Sequence, residues 1–219
     1  MQKKPTKTPK IPVHRPPPPK HVRIIGGAWK RTQLPVLDAL GLRPTPDRVR
    51  ETVFNWISHL WGNDWTGMSV LDLFAGSGAL GFEAASRGAA AVTLVDMHPK
   101  VVAQLGEIKD KLNAENVTVQ RADAMAAAQS LGVRGERYDL VFLDPPYQQD
   151  LLAKSLPLCV KLLNDDGLIY VESGAPLPFA DHEHGEAEET PPWLAPWFPV
   201  REDKAGMVFY YLLQLRAAA

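Results

Sequence analysis

Cysteine is almost absent from this chain of 219 residues, which contains only Cys159. A single cysteine excludes an intramolecular disulfide and any metal cluster that several cysteines would hold. We expect Cys159 to be a buried thiol in a helix.

Long apolar runs are also missing. No stretch of about 18 apolar residues occurs, and the first residues lack the apolar core of a signal peptide. Neither a membrane span nor export is suggested, so we expect a cytoplasmic monomer without a membrane partner. The 219 residues, of which 45% are hydrophobic and 22% charged, suffice for one well-buried domain but hardly for two.

Acidic residues are missing from the first 37 positions, which contain nine Lys and Arg, whereas the remainder contains 15 basic and 25 acidic residues. A basic arm on an acidic body is typical of a polyanion-binding protein, because Lys and Arg at phosphates release counterions. A solvated tail that only aids solubility is the alternative. Seven prolines in residues 1–20 exclude a helix or a central strand there, so we predict an extended tail before a folded domain at 21–219.

The pattern after the tail predicts a β-hairpin over residues 21–37, with Gly26-Gly27 following the first strand. The loop of the hairpin carries Trp29, Lys30 and Arg31. An aromatic ring beside two cations suits single-stranded RNA, although Trp29 could equally attach the hairpin to the core.

A helix is predicted over residues 45–61. Thr45 is the expected N-cap, and Pro46 fits the first helical position. Apolar residues at helical spacing form one face of this helix. The opposite, polar face is expected to contain Arg48, Arg50 and Glu51.

Strands and helices alternate from residue 68 onward. The predicted strands cover 68–74, 91–96, 117–121, 138–144 and 167–172. The predicted helices cover 79–87, 99–113, 124–131 and 151–163. This alternation indicates an α/β fold with a mostly parallel sheet and helices on both faces, followed by an antiparallel strand at 207–215.

Gly76, Gly78 and Gly81 have the spacing G-x-G-x-x-G between a predicted strand and a predicted helix. Such glycines permit a tight turn, and the helix N-terminus offers free N–H groups to an anionic ligand group. Asp96 ends the next strand, where an acid can accept hydrogen bonds from ribose hydroxyls. An NAD-dependent dehydrogenase and a methyltransferase both fit these features, and a purely structural turn is the bland alternative.

Asp72, on the strand before the glycine turn, favours the methyltransferase. A carboxylate at this place would repel a pyrophosphate. It suits S-adenosylmethionine, which carries an ammonium and a sulfonium group.

The tetrapeptide Asp144-Pro145-Pro146-Tyr147 follows an apolar strand, at the sheet edge where open α/β sheets bind ligands. The prolines stiffen the turn and aim its carbonyls. If Asp144 and the Pro145 carbonyl accept the two N–H bonds of an exocyclic base amine, the nitrogen is oriented and its developing positive charge is stabilised. Tyr147 can stack on the base once it is swung out. A simple loop start is the alternative interpretation.

Seven sequence blocks together resemble a known family, the amino-methyltransferases with a D-P-P-[YF] motif. Within it, the chain is most similar to the bacterial 16S ribosomal RNA (guanine-N2) methyltransferases that modify guanine 966. The blocks are 23–29, 42–45, 47–52, 54–56, 72–81, 144–147 and 170–173. The early blocks are the specific ones, because DNA adenine methyltransferases share the glycine turn and the tetrapeptide.

The resemblance implies a Rossmann-like, S-adenosylmethionine-dependent methyltransferase with a seven-stranded sheet at 68–215 and an N-terminal β-hairpin. The implied substrate is 16S ribosomal RNA in the small subunit or its assembly intermediate. Residues implied to bind the cofactor are Asp72, Phe74, Ala75, Gly76, Ser77, Gly78, Asp96, Met97, Asp123 and Ala124, with Thr45, Arg48 and Glu51 closing the pocket. We expect RNA contacts from Arg23, Trp29, Lys30, Arg31 and Arg43.

The acid-rich stretch 181–189, with His182 and His184, departs from the family pattern. We interpret it as a solvated loop and expect no metal site. Two further functions stay open. One is a DNA or RNA adenine-N6 methyltransferase, which would share both motifs. The other is a non-catalytic RNA-binding protein of ribosome assembly that uses the basic arm alone.

Overall fold

The computed structural model describes residues 20–37, 45–146, 151–179 and 190–216. Its centre is a seven-stranded sheet in the order β5-β4-β3-β6-β7-β9-β8, and a separate two-stranded antiparallel hairpin, β1-β2, precedes it. Neighbouring strands are parallel from β5 to β7, whereas β9 is antiparallel to both β7 and β8. The predicted fold class is confirmed. In the described part of the chain, none of the helices has both the length and the apolar character that crossing a membrane requires.

The helices and strands follow in regular alternation through the middle of the chain. The strands are β1 (His21–Arg23), β2 (Gln33–Pro35), β3 (Ser69–Asp72), β4 (Ala91–Asp96), β5 (Val117–Arg121), β6 (Tyr138–Leu143), β7 (Leu163–Ser173), β8 (Trp197–Ala205) and β9 (Val208–Leu215). The helices are α1 (Asp47–Leu60), α2 (Ala79–Arg87), α3 (Pro99–Leu112), α4 (Ala124–Val133) and α5 (Leu151–Cys159).

Two hydrophobic clusters cover the two faces of the sheet. Successive strand residues point to opposite faces, so Val141 of β6 joins the cluster under α4 and α5, and Phe142 joins the cluster under α1, α2 and α3. Cys159 is a fully buried thiol at the end of α5, as expected. Burial of both faces explains why the central strands are almost uninterruptedly apolar.

The sequence-based prediction was wrong at two boundaries in the second half of the domain and missed one strand there. The helix predicted over 151–163 ends at Cys159, and β7 begins at Leu163, four residues before its predicted start. The physical reason is tertiary: the Leu162 carbonyl accepts a hydrogen bond from Tyr138 N at 2.7 Å, which places this segment beside β6. Strand β8 was missed because it contains Pro199, which an edge strand tolerates at a register shift.

The N-terminal hairpin is attached to the second half of α2. The fully buried carboxylate of Glu83 accepts hydrogen bonds from Ile25 N at 2.6 Å and Gly26 N at 2.8 Å. Ser86 Oγ accepts from Trp29 N at 2.9 Å and donates to the Gly26 carbonyl at 2.6 Å. The double glycine therefore serves docking of the hairpin as well as the turn between its strands, in which the Gly27 carbonyl accepts a hydrogen bond from Lys30 N at 3.3 Å.

Gly27 has φ +73°, and a Cβ added there would lie 1.8 Å from the Ser86 carbonyl oxygen. We predict that Gly27→Ala lowers the free energy of unfolding by about 3 kcal/mol or more, because left-handed strain is added to a clash with backbone. Urea denaturation measures this loss.

Gly135 supplies the matched control, because its φ is +74° and open space surrounds the added Cβ. Gly135→Ala adds only the left-handed strain, so it should lower the free energy of unfolding by about 1 kcal/mol. Equal losses in the two variants would contradict the tight contact between hairpin and helix.

Candidate functional site

Five neighbouring strands of the sheet have an acidic residue within two positions of their last residue. In the order of the sheet these residues are Asp123, Asp96, Asp72, Asp144 and Glu172. The connections leave in opposite directions on the two sides of the β3–β6 pair, which is the topological switch point where open α/β sheets bind ligands. Asp72 and Asp144 lie on the two sides of this point.

The glycine turn after β3 is held against the end of β4. Gly76 N donates to Asp96 Oδ2 at 3.1 Å, and Asp96 Oδ1 accepts from His98 N at 2.8 Å. Gly78 occupies the N-cap position of α2 with φ 77°, a conformation that glycine adopts without strain. The turn thus places the helix N-terminus and the half-buried Asp96 carboxylate on one side of the crevice.

Asp72 is buried, with only 1% of its surface exposed. Its Oδ2 accepts from Gly81 N at 3.2 Å, whereas Oδ1 has no hydrogen-bond partner among the described residues. Burial raises the pKa of Asp72 to about 7, and the charge of Asp96 adds to this effect. A buried acid with a spare acceptor suits a cationic ligand and disfavours a pyrophosphate.

The D-P-P corner, residues 144–146, follows β6. Asp144 is half-buried, Pro145 is buried and Pro146 is exposed. Thr45 Oγ1 lies 3.3 Å from Asp144 Oδ2. Burial raises the pKa of Asp144 well above its usual range, and the charges of Glu172 and Asp72 raise it further. Tyr147, the last residue of the predicted tetrapeptide, lies outside the described residues.

Thr45 does not cap α1, contrary to the sequence prediction. The N-cap position belongs to Pro46. Thr45 is therefore one residue further out, and its buried side chain reaches the sheet edge, where Oγ1 donates to Glu172 Oε1 at 2.5 Å. The hydroxyl group joins β6 and β7 instead of closing the helix.

Arg50 was expected on the polar face of α1, but it is fully buried. Its Nε donates to the Thr45 carbonyl at 3.3 Å, and its Nη2 pairs with Asp47 Oδ1 at 2.6 Å. A carboxylate and a carbonyl offset the burial of this guanidinium, although its Nη1 has no hydrogen-bond partner among the described residues. Arg50 thereby fixes the turn that presents Thr45.

The remaining predicted cofactor residues differ in exposure. Met97, just after β4, is 67% exposed, and Asp123 is the N-cap of α4, where it accepts from Ala126 N at 3.0 Å. Around them, Ala75 and Ala124 are buried, Phe74 and Ser77 are half-buried, and Arg48 and Glu51 are exposed on α1.

The predicted RNA-binding residues lie on the hairpin. Lys30 and Arg31 are exposed, and Arg23 forms an exposed ion pair with Asp47 at 2.7 Å. Trp29 is half-buried and packs against the core, so it attaches the hairpin while part of its surface stays accessible. Arg43 lies outside the described residues, as does the stretch 181–189.

A cleft of about 200 Å³ adjoins the corner after β6. It lies between the segments that follow β6 and β7. Its lining includes Pro145, Pro146, Leu152, Glu172, Ser173, Pro176, Leu177 and Trp193. The cleft is therefore open beside the two prolines that follow Asp144, and most of its lining residues are apolar.

Sequence reasoning gave no role to Glu172 or Arg50. Glu172 could have been found, because it is an acid at the end of an apolar strand like Asp72 and Asp144. Arg50 carried no such signal: an arginine on a helix is usually exposed, and only its partners in the turn explain its burial.

Comparison with known proteins supports the family resemblance that the sequence blocks indicated. The model of a family described as conserved hypothetical protein 95 matches residues 22–214. The chain is 42% identical over 198 residues to a protein of Escherichia coli strain K12 named ribosomal RNA small subunit methyltransferase D, covering 90% of this chain and 91% of that one. A Haemophilus influenzae protein of the same name is 36% identical over 200 residues, covering 88% and 93%.

Solved structures agree with these relatives. The structure of yhhF from Escherichia coli has a TM-score of 0.72 at 39% identity and covers 90% of this chain and 99% of its own. A Haemophilus influenzae structure has a TM-score of 0.68 at 32% identity, covering 89% and 98%. The family resemblance inferred from the sequence blocks is confirmed.

The buried charge of Asp72 yields a prediction about stability. Its pKa rises from 3.8 to about 7 on folding, so the folded state holds this proton more tightly and stability falls as the pH rises through that interval. Asp72→Asn removes this loss. We predict that the variant gains up to about 4 kcal/mol over the wild type at pH 8, and clearly less at pH 5.

Denaturant titrations at the two pH values measure the difference. Asp166→Asn, a change of an exposed acid on β7, is the control and should leave the free energy of unfolding nearly unchanged at both. An Asp72→Asn variant no more stable than wild type at pH 8 would show that its charge is not unfavourable in the fold.

Proposed function

Since the chain belongs to the family described as conserved hypothetical protein 95, we propose that it transfers a methyl group from S-adenosylmethionine to a base of ribosomal RNA. The observation that supports this most is the placement of Asp72 and Asp144 on the two sides of the switch point. One acid ends the strand before the glycine turn, and the other begins the D-P-P corner.

The residues of the crevice fit S-adenosylmethionine. The spare Oδ1 of buried Asp72 is a place for a cationic group, and the turn from Phe74 to Gly78 would hold the methionine part. Asp96 would accept from the ribose hydroxyls, and Met97 has the exposed surface to pack on adenine. Asp123 and Ala124 would line the amino edge of that base, while Thr45, Arg48 and Glu51 would close the other side.

The bound cofactor would supply a methyl group on a sulfonium sulfur. The protein must then orient a weak nucleophile, because the lone pair of an exocyclic amine is delocalised into the ring. The Asp144 carboxylate and the Pro145 carbonyl would accept its two N–H bonds and direct the nitrogen toward the methyl group. The carboxylate charge and the carbonyl dipole would stabilise the positive charge that develops on nitrogen as its bond to the methyl carbon forms and the bond from that carbon to sulfur breaks. The surplus proton on nitrogen would then be released to solvent.

The target base would lie in the cleft beside Pro145 and Pro146. Its volume of about 200 Å³ is below the roughly 300–1,000 Å³ of sites that hold whole ligands, which favours one flipped base over a whole nucleotide. Tyr147 would stack on this base. Outside the cleft, Arg23, Trp29, Lys30, Arg31 and Arg43 would contact the RNA.

We further propose that the target is the N2 amine of guanine 966 in 16S ribosomal RNA, within the small subunit or its assembly intermediate. The names of the 42% and 36% identical relatives support a small-subunit RNA, and the early sequence blocks support this guanine. Adenine N6 is the competing target.

The target is tested by incubating the protein with unmodified small ribosomal subunits and labelled S-adenosylmethionine, and by mapping the label with nuclease digestion and mass spectrometry. We expect one methyl group on N2 of a single guanine. Label on adenine N6 would overturn the guanine assignment, and absence of label from RNA would overturn the function.

Asp144→Ala should keep the fold and the cofactor affinity but lower the single-turnover rate of methyl transfer at least about 100-fold, because the amine loses an acceptor in the transition state. Asp166→Ala, which changes an exposed acid on β7, should react like wild type. Transfer by Asp144→Ala at the wild-type rate would refute the role of the corner.

A further inference from the structure

The Thr45 hydroxyl group faces two carboxyl groups but has one hydrogen. Its oxygen lies 2.5 Å from Glu172 Oε1 and 3.3 Å from Asp144 Oδ2. It can donate to only one of them at a time. A full, unshared hydrogen bond at each contact requires that one of the two carboxyl groups carries a proton and donates to Thr45.

Glu172 has a second donor, which favours one arrangement. The Tyr170 hydroxyl donates to the same Oε1 at 2.7 Å, within the buried part of β7. Two hydroxyl hydrogens directed at Glu172 stabilise it as an anion. The extra proton then belongs on Asp144, which donates it to Thr45 Oγ1.

The surroundings of Asp144 agree with this proton. The ionisable groups that face it are Glu172 on β7 and Asp72 on β3. Burial, followed by the charges of these two acids, raises the pKa of Asp144, whereas Thr45 lowers it once its own hydrogen turns from Glu172 to the Asp144 carboxylate. Glu172 and Thr45 therefore act on Asp144 in opposite directions.

Thr45 is held in this position from outside the sheet. Arg50 binds its carbonyl and the Asp47 carboxylate, and Asp47 also pairs with Arg23 on β1. The rigid turn before α1 fixes the hydroxyl between two strand ends.

We propose that Thr45 and Glu172 are positioning residues that set the protonation state of Asp144, and so the pH at which Asp144 can accept the N–H of a base amine. The methyl-transfer part of this proposal rests on the proposed function. With Asp144 protonated, its Oδ2 proton is directed to Thr45 and the site binds an amine poorly. Loss of that proton to solvent frees the carboxylate, and the Thr45 hydrogen can then turn toward it.

The first experiment follows Asp144 itself in the ligand-free protein. The full chain is labelled with ¹³C at aspartate carboxyl carbons, and the Asp144 signal is identified by its loss in Asp144→Asn. Removing the charge in Glu172→Gln should lower the titration midpoint by about one pH unit. Removing the hydroxyl in Thr45→Val should raise the midpoint by about half a unit, and Thr45→Ser should stay near wild type.

The second experiment measures single-turnover methyl transfer to small subunits between pH 5 and 9 with saturating cofactor. The pH of half-maximal rate should move in the same directions as the titration midpoints. Thermal denaturation and cofactor affinity identify any variant that fails to fold. If Thr45→Val fails to fold, Glu172→Gln decides the outcome: a lowered midpoint supports the proposal, and an unchanged or raised midpoint overturns it.

Opposite shifts in Glu172→Gln and Thr45→Val, seen in both experiments, would support the proposal, because a merely structural role would not produce them. Unchanged midpoints, or shifts in one common direction, would overturn it. The proposal would also be overturned if the titration midpoints shifted as expected while the pH profiles of the transfer rate did not shift. A wild-type protein that transfers no methyl group refutes the proposed function instead, while the titration still tests whether Thr45 and Glu172 act on Asp144.

Discussion

Three carboxyl groups share the ends of adjacent parallel strands, and the rest of the site is built around them. Asp72, Asp144 and Glu172 lie side by side because β3, β6 and β7 are neighbours in the sheet. Burial of like charges costs stability and raises their pKa values. The fold compensates with the Gly81 N–H, the Thr45 hydroxyl and the Tyr170 hydroxyl. Such a site would bind a cation and an amine, and these ligands would in turn stabilise the buried carboxyl groups. This constraint therefore leads to the proposed reaction.

The N-terminal segments have a structural role that reaches the same site. The hairpin is docked on α2 through Glu83 and Ser86, and its Arg23 pairs with Asp47 at the start of α1. Asp47 and Arg50 then fix the turn that carries Thr45. The proposed RNA-binding surface and Asp144, the proposed hydrogen-bond acceptor of the base amine, are thus connected by a short series of ion pairs and hydrogen bonds. The blocks that identify the family are largely the residues that build this connection.

Much of the fold could be read from the sequence. The spacing of apolar residues and the positions of turn-forming residues predicted the hairpin, the alternating strands and helices, and the final antiparallel strand, because each of these depends on local preference. The errors occurred where pairing with a neighbouring strand determined the local structure. The end of α5 is set by pairing of Leu162 with β6, and β8 becomes a strand only because β9 offers an edge to a segment with a proline and several charges.

The sequence by itself determined which chemistry we propose for the site: the glycine turn, Asp72 and Asp96 indicate a nucleoside cofactor, and the D-P-P corner indicates an amine substrate. The residues of each motif lie close together in the sequence, so the motif can be recognised without the structure. Only the tertiary structure decided which distant groups act on Asp144. Thr45 is 99 residues from Asp144 and 127 from Glu172, yet one hydroxyl contacts both. No sequence spacing encodes this contact, because it depends on strand order and on burial of Arg50, both of which exist only once the chain has folded.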